Sequence, residues 1–571
     1  MIRYATIDIE STGLNRYTNE ITYIGVGLAE DVNSPIKQYF IYQAPFVEEN
    51  LTRLLNLFAN LKKRKVKCVW QNGKFDTLFI EHKLGVRLPI SHDVMVMGTA
   101  YELATEHGLK KMAQKYLGVE NWDITKKEKT GFSDKTVQYL KYDVQYTWEL
   151  FCFFCKKMNR VQWNIYTELL RPAFLMYRDT ERNGIYIDQR GLSRVHREFK
   201  AKQAEALQKL KARHDINWNS PAQISHALFE VDGLPTLKRS GKTGNPSVDA
   251  KVLKRLAAKG YNIATLLLDY KFYYGANTKF LNQWPRYAAY DGRIHPSFGL
   301  TNVITGRTSC SDPNLQQVPR LPALRNLFTA VTGRMLIEAD YSQIELRVAA
   351  DYSNDPNMLR VYREGGDIHT ETACTLSGTN EPTKEQRSRA KPVNFGFLYG
   401  MSARKFIIYA FDSYGVSYTM DEAQRYRDLY FIKYPGLLEW HKEMESVCEA
   451  LGGVENRFGR FRALPNIYSQ DDYERGNAIR RAINTPVQST ASDLLLCSAV
   501  EIRRTLAKPF DLKIVGTIHD SILMDVPAEE VEAIIPEVKR IMAKPAIADD
   551  FGVSFKIPLE ADVSVGCWGK Q

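Results

Sequence analysis

In the run Tyr4-Ala5-Thr6-Ile7-Asp8-Ile9-Glu10, apolar and polar residues alternate. A strand with this pattern puts Ala5, Ile7 and Ile9 on one face and Thr6, Asp8 and Glu10 on the other. Two carboxylates side by side on one strand face repel unless positive charge sits between them. A divalent cation is the usual solution, and an all-oxygen ligand set suits Mg²⁺ or Mn²⁺. For this pair alone, a solvated acidic strand end is an equal alternative. Two further segments shift the balance. Gln71-Asn72-Gly73-Lys74-Phe75-Asp76 places an acid after a Gly-containing turn that follows an apolar strand. Tyr139-Leu140-Lys141-Tyr142-Asp143 sets a phenol and a carboxylate four residues apart, on one helix face.

A second set of acids lies far downstream. Residues 335–340 read as a strand ending in Asp340, and 341–347 as a turn into a helix. Residues 513–518 and 521–526 read as the two strands of a hairpin with His519 and Asp520 at its tip. A lone acid in a turn is usually a turn-former, so Asp520 alone decides nothing. Between the two, Arg387, Lys391, Phe395 and Tyr399 recur every four residues and form one helix stripe of two cations and two rings. Such a stripe suits a nucleoside triphosphate, with charge for the phosphates and an aromatic face for sugar and base. An amphipathic helix with solvated cations would read the same way.

The chain has 571 residues, enough for three or four domains. Its 44% hydrophobic and 25% charged residues argue against wholesale disorder. The net charge of +11 leans towards a polyanionic partner. No apolar run approaches the ~18 residues of a spanning helix, and the start MIRYATIDIE lacks the form of a signal peptide, so membrane and secreted classes are nearly excluded and a cytoplasmic protein is expected. The eight cysteines are scattered. Cys152 and Cys155 lie close together but lack a second ligand pair for zinc, and buried thiols in a reducing compartment are expected. Residues 1 to about 155 alternate strands and helices. Residues 160–290 read as helical and basic, interrupted by an exposed basic loop at 237–247.

Asp8, Glu10, Asp76 and Asp143 with Tyr139 resemble the DEDD-type 3′–5′ exonucleases of the subtype with a tyrosine in the last motif. The runs DYSQIELR from Asp340 and IHD ending at Asp520 resemble motifs A and C of the DNA polymerase I family, family A. The run from Arg387 to Gly400 resembles its motif B. The resemblance implies a ribonuclease H-like α/β exonuclease domain followed by an α+β right-hand polymerase of palm, fingers and thumb. The expected divisions are exonuclease 1–158, thumb and connecting helices 159–290, first palm part 291–360, fingers 361–480 and second palm part 481–571. It also implies two Mg²⁺ ions per active site, with Mn²⁺ as an alternative. Asp8, Glu10, Asp76 and Asp143 would hold one pair and Asp340 and Asp520 the other, with Tyr139 orienting the attacking water. Arg387, Lys391 and His369 would meet the phosphates, and Phe395, Tyr399, Glu345 and Gln343 the rest of a dNTP. Arg307, Asn314, Gln316, Asn484, Gln488 and His519 would touch primer–template DNA. A monomer serving DNA replication or repair is expected.

Three departures stand out. The family often has Glu directly after the motif C acid, where this chain has Ser521, so a third carboxylate is missing and Asp340 and Asp520 are expected to suffice. Pro392 sits inside motif B and is expected to kink or break the helix around 388–391. The chain begins at the exonuclease strand, so no 5′-nuclease domain is expected, and phage origin is the reading, with a bacterial host's cytoplasm as location. A single-subunit RNA polymerase is the alternative enzyme class. Glu345 argues against it, because in family A DNA enzymes an acid at this place excludes a 2′-hydroxyl. A DNA-binding protein with decayed sites is opposed by the completeness of both acid sets.

Overall fold

In a computed structural model of the chain, which describes residues 1–103, 106–129 and 132–568, the first acid-bearing run forms strand β1 (Tyr4–Ser11) at the centre of a five-stranded sheet. β2 (Ile21–Ala29) and β3 (Gln38–Gln43) extend the sheet antiparallel on one side. β4 (Lys67–Trp70) and β5 (His92–Asp93) extend it in parallel on the other, giving the order β3-β2-β1-β4-β5. The alternation holds: Ala5, Ile7 and Ile9 are buried in the core.

Helix α1 (Gly73–Leu84) leaves β4 through Asn72, which adopts a left-handed conformation with φ of 58°. Gly73 is required there, since a Cβ would fall 2.5 Å from Trp70 Cβ. Asp93 fixes the turn: one carboxylate oxygen accepts from Gly73 N at 2.7 Å, and the other caps the next helix through Met95 N and Val96 N. Asp76 therefore sits in the first turn of α1. Helix α3 (Asp134–Lys157) packs beside the sheet, α2 (Leu109–Leu117) packs on α3, and Ser133 caps α3 through Thr136 N.

A buried ion pair ties this part to the rest of the chain. Lys74, two residues before Asp76, donates to Glu181 Oε1 at 2.5 Å and also to the Phe298 carbonyl. Glu181 lies on α4 (Arg171–Asn183), and its Oε1 accepts from Phe298 N. Removing one partner of such a pair costs ~3–5 kcal/mol, so α1 is anchored firmly.

Helices α5 (Gln189–Lys211) and α6 (Asn262–Ala276) pair along their lengths around a small core of their own, including Trp218, Leu228, Leu256 and Leu267. The basic loop at 237–247 is largely exposed and is closed by a bridge between Arg239 and Pro246. β6 (Arg334–Tyr341) then leads into α7 (Ile344–Ser353), and α8 (Ile368–Ser377) packs on α9 (Lys384–Leu398). The long buried helix α10 (Asp472–Thr505) precedes the hairpin β7 (Lys513–Ile518) and β8 (Ser521–Pro527). With β9 (Ala561–Val565) these form an antiparallel sheet in the order β7-β8-β6-β9.

Of the kink or broken turn expected at 388–391, the broken turn is absent. α9 runs continuously from Lys384 to Leu398 through Pro392. Proline removes only one donor, and burial of Ala390, Pro392, Val393 and Phe397 holds the helix against that loss. A capping box of Thr383 and Gln386 secures its start.

Candidate active sites

Ligand oxygens of Asp8, Glu10 and Asp143 lie within 4.8 Å of one another. β1 supplies the first two and α3 the third. Asp76 stands outside this trio, with Oδ1 accepting from Ile9 N at 3.1 Å, which locks its side chain against β1. Burial first, and then the neighbouring Asp76, Asp143 and Glu10 carboxylates, push Asp8 well above the usual carboxylate range. Burial and Asp143 push Glu10 up to about 8.

Two donors were not legible in the sequence. Lys110 on α2 places its ammonium 2.7 Å from both oxygens of Asp143 and donates to the Tyr139 hydroxyl at 2.5 Å. Trp122 Nε1 donates to Asp143 Oδ1 at 2.6 Å. The ammonium shows that the cluster accepts a cation, and its hard oxygen donors fit Mg²⁺ or Mn²⁺. Burial and the adjacent acids raise the Tyr139 phenol, so it stays protonated and able to donate.

A pH dependence follows. In the unfolded chain Glu10 ionises near 4.5, and in the folded chain near 8. Its raised value therefore stabilises the fold fully below 4.5, and that stabilisation is lost as pH rises towards 8. Without divalent cations, the melting temperature of the wild type should fall relative to Glu10→Gln across this window. Saturating Mg²⁺ should narrow the gap. Parallel wild-type and Glu10→Gln curves in chelator would contradict this.

In the C-terminal part of the chain, β6 and the β7–β8 hairpin bring Asp340 and Asp520 together. Tyr341 N donates to the Asp520 carbonyl at 3.2 Å, tying the hairpin tip to the end of β6. His519 makes the tight turn with φ of 55°. Asp340, Asp520, Gln343, Phe395 and His519 share one cavity of about 450 Å³. Asp340 and Asp520 supply hard oxygen donors suited to a divalent ion.

The helix stripe is engaged with its surroundings. Arg387 Nε donates to Asp367 Oδ2 at 2.7 Å, and Gln343 Nε2 to Asp367 Oδ1 at 2.9 Å. Among the described residues Lys391 forms no ion pair. Burial lowers His369 to about 4, so its ring is neutral near pH 7. Asn394 Nδ2 contacts His369 Nδ1 at 3.1 Å, an amide donor that leaves the other ring nitrogen to carry the proton. His369 thus offers an N–H donor and no positive charge to the cavity side. Buried Glu345 is held by Arg307 and by the Tyr399 hydroxyl, and burial raises its carboxyl. Tyr399 therefore acts on Glu345 in this state.

Of the residues assigned to DNA contact, Gln316 Nε2 donates to Thr308 Oγ1 at 3.3 Å. Asn314 and Asn484 each bury an Oδ1 that has no partner among the described residues. Such an acceptor costs ~1–3 kcal/mol until a donor reaches it. Gln488 follows Asn484 by one turn of α10.

Comparison with known proteins agrees with this geometry. The family model described as DNA polymerase family A matches residues 189–570. The chain belongs to this family. A second model, described as 3′–5′ exonuclease, matches residues 3–159. The thermostable DNA polymerase I of Thermus filiformis is 35% identical over 423 residues, covering 72% of this chain and 49% of the relative. DNA polymerase I of Pseudomonas aeruginosa is 29% identical over 594 residues, covering 98% of this chain and 62% of the relative. The chain thus spans about half to three-fifths of the length of these relatives. Among solved structures, the POL domain of Pol1 from M. smegmatis, in complex with DNA primer-template and dNTP, matches with a TM-score of 0.82 at 22% identity. That match covers 98% of this chain and 94% of the other, and shows a shared fold. The expected architecture, a ribonuclease H-like exonuclease joined to a right-hand polymerase, is borne out. Among the described residues no helix is long and apolar enough to cross a membrane.

Proposed function

We propose that this family A chain extends the 3′ end of a DNA primer with dNTPs and removes misincorporated nucleotides through its exonuclease part. The reading rests on one observation: two separate carboxylate sites, on two separate sheets, in a chain whose two parts match a 3′–5′ exonuclease and a family A polymerase. The solved relative's complex with primer-template and dNTP supports the choice of substrates. Divalent ions, with Mg²⁺ the expected one, would supply activation of the primer 3′-hydroxyl or of water and neutralise phosphate charge. The chain's own residues would hold and shape the substrates. Arg387 and Lys391 offer positive charge to the phosphates, and His369 offers an N–H. Phe395 presents a ring beside Asp340 and Asp520. At the exonuclease site, Tyr139 stays protonated and would orient a water by hydrogen bonding.

Glu345 is the sugar discriminator in this reading. Arg307 and Tyr399 fix its carboxylate, so it cannot swing away from a 2′-hydroxyl without breaking both contacts. Templated extension with dNTPs against rNTPs tests the function. The wild type should use dNTPs strongly in preference, and Glu345→Ala should raise relative rNTP use by about tenfold or more, the size of ~1.4 kcal/mol. Tyr399→Phe should move the ratio in the same direction by less. Equal use of both sugars by the wild type would overturn the DNA polymerase reading.

A further inference from the structure

β6 carries a second acid on the face of Asp340. Glu338 lies two residues earlier, so the pleat puts both side chains on one face of the sheet. Glu338 is buried, with 8% exposure, and lines the same cavity as Asp340 and Asp520. The strand register sets Ser521 directly opposite Asp340, and Ser521 Oγ donates to Glu338 Oε1 at 3.0 Å. Ser521 is the place where the family often carries Glu. This chain therefore lacks a second acid directly after Asp520 but has one on the adjacent strand, bonded to the residue that took that acid's place.

We propose that Glu338 stands in for the missing hairpin acid as the third carboxylate of the polymerase site, a positioning residue that holds Ser521 at the hairpin tip and adds negative charge beside Asp340 and Asp520. The proposal rests on the polymerase reading above. Among the described residues, three ligand atoms gather within 4.8 Å only in the exonuclease trio. Glu338 therefore acts through Ser521 and ordered water, and such outer-shell acids change metal affinity by about 10–100-fold. The competing role is charge balance alone. Arg325 is buried near Glu338 and Asp340, with Nε and Nη2 of its guanidinium donating to the Pro319 and Val318 carbonyls. A balancing acid would affect stability and leave metal affinity unchanged.

The test is Mn²⁺ binding followed by electron paramagnetic resonance. The parent is Asp8→Ala/Glu10→Ala, to silence the exonuclease trio, bound to primer–template with a dideoxy-terminated primer. Glu338→Gln keeps the shape and an acceptor for Ser521. It should weaken Mn²⁺ binding about tenfold. The exchange Glu338→Ser/Ser521→Glu should restore affinity to within about threefold of the parent, well inside that outer-shell range. Undiminished Mn²⁺ affinity in Glu338→Gln, or no recovery in the exchange variant, would overturn the proposal. A parent that binds Mn²⁺, and in a separate assay extends an unblocked primer, while Glu338→Gln matches it removes the proposal alone. A parent that does neither removes the polymerase reading and the proposal with it.

Discussion

Asp340→Ala and Asp520→Ala should each lower primer extension by about a thousandfold or more and leave 3′ degradation near the wild-type rate. Asp8→Ala/Glu10→Ala should do the reverse. The separation follows from placement. Asp340 and Asp520 stand at the end of β6 and the tip of the β7–β8 hairpin, and Asp8 and Glu10 on β1 of a different sheet. The contacts between the two parts that bear on this, such as Lys74 with Glu181, are structural and remain in all these variants. Extension of a matched primer and degradation of a single strand are the two assays. A palm variant that loses both activities, at unchanged melting temperature, would contradict separate sites.

The second large effect concerns Phe395. Its ring lines the cavity that holds Asp340 and Asp520 and sits 5.8 Å from the His369 ring. A correct dNTP brings a 3′-hydroxyl that can fill a polar position near the triphosphate. A 2′,3′-dideoxynucleotide leaves that position empty, and a phenyl ring cannot supply it. An unmet polar position of this kind costs ~1–3 kcal/mol, or about ten- to a hundredfold in rate. The wild type should therefore discriminate against dideoxynucleotides by that order. Phe395→Tyr should remove most of the discrimination by adding one hydroxyl. Incorporation ratios for the two proteins under one set of conditions decide it, and equal ratios would place the ring away from the sugar.

The parts of both sites that rest on local periodicity were legible in the sequence. Alternation put Asp8 and Glu10 on one face of β1, and a spacing of four put Tyr139 and Asp143 on one face of α3. The pairing of Asp340 with the distant Asp520 needed the family motifs, because only sheet register brings the two together. Lys110 and Trp122 reach Asp143 from a separate helix and a loop, and no local pattern marks such contacts. Glu338 carried a signal that was available: it repeats, two residues before Asp340, the same-face arrangement already used for Asp8 and Glu10. Pro392 shows the opposite failure. Local propensity argued for a broken helix, and tertiary burial kept α9 continuous.

The central claim is that one chain both edits and extends a primer. The most direct measurement gives the wild-type protein a labelled primer with a 3′-terminal mismatch on a longer template, with Mg²⁺ and all four dNTPs, and sequences the products. The expected product is full-length and carries the correct base at the former mismatch. Full-length product that keeps the mismatch, or a primer left unextended, would contradict the claim.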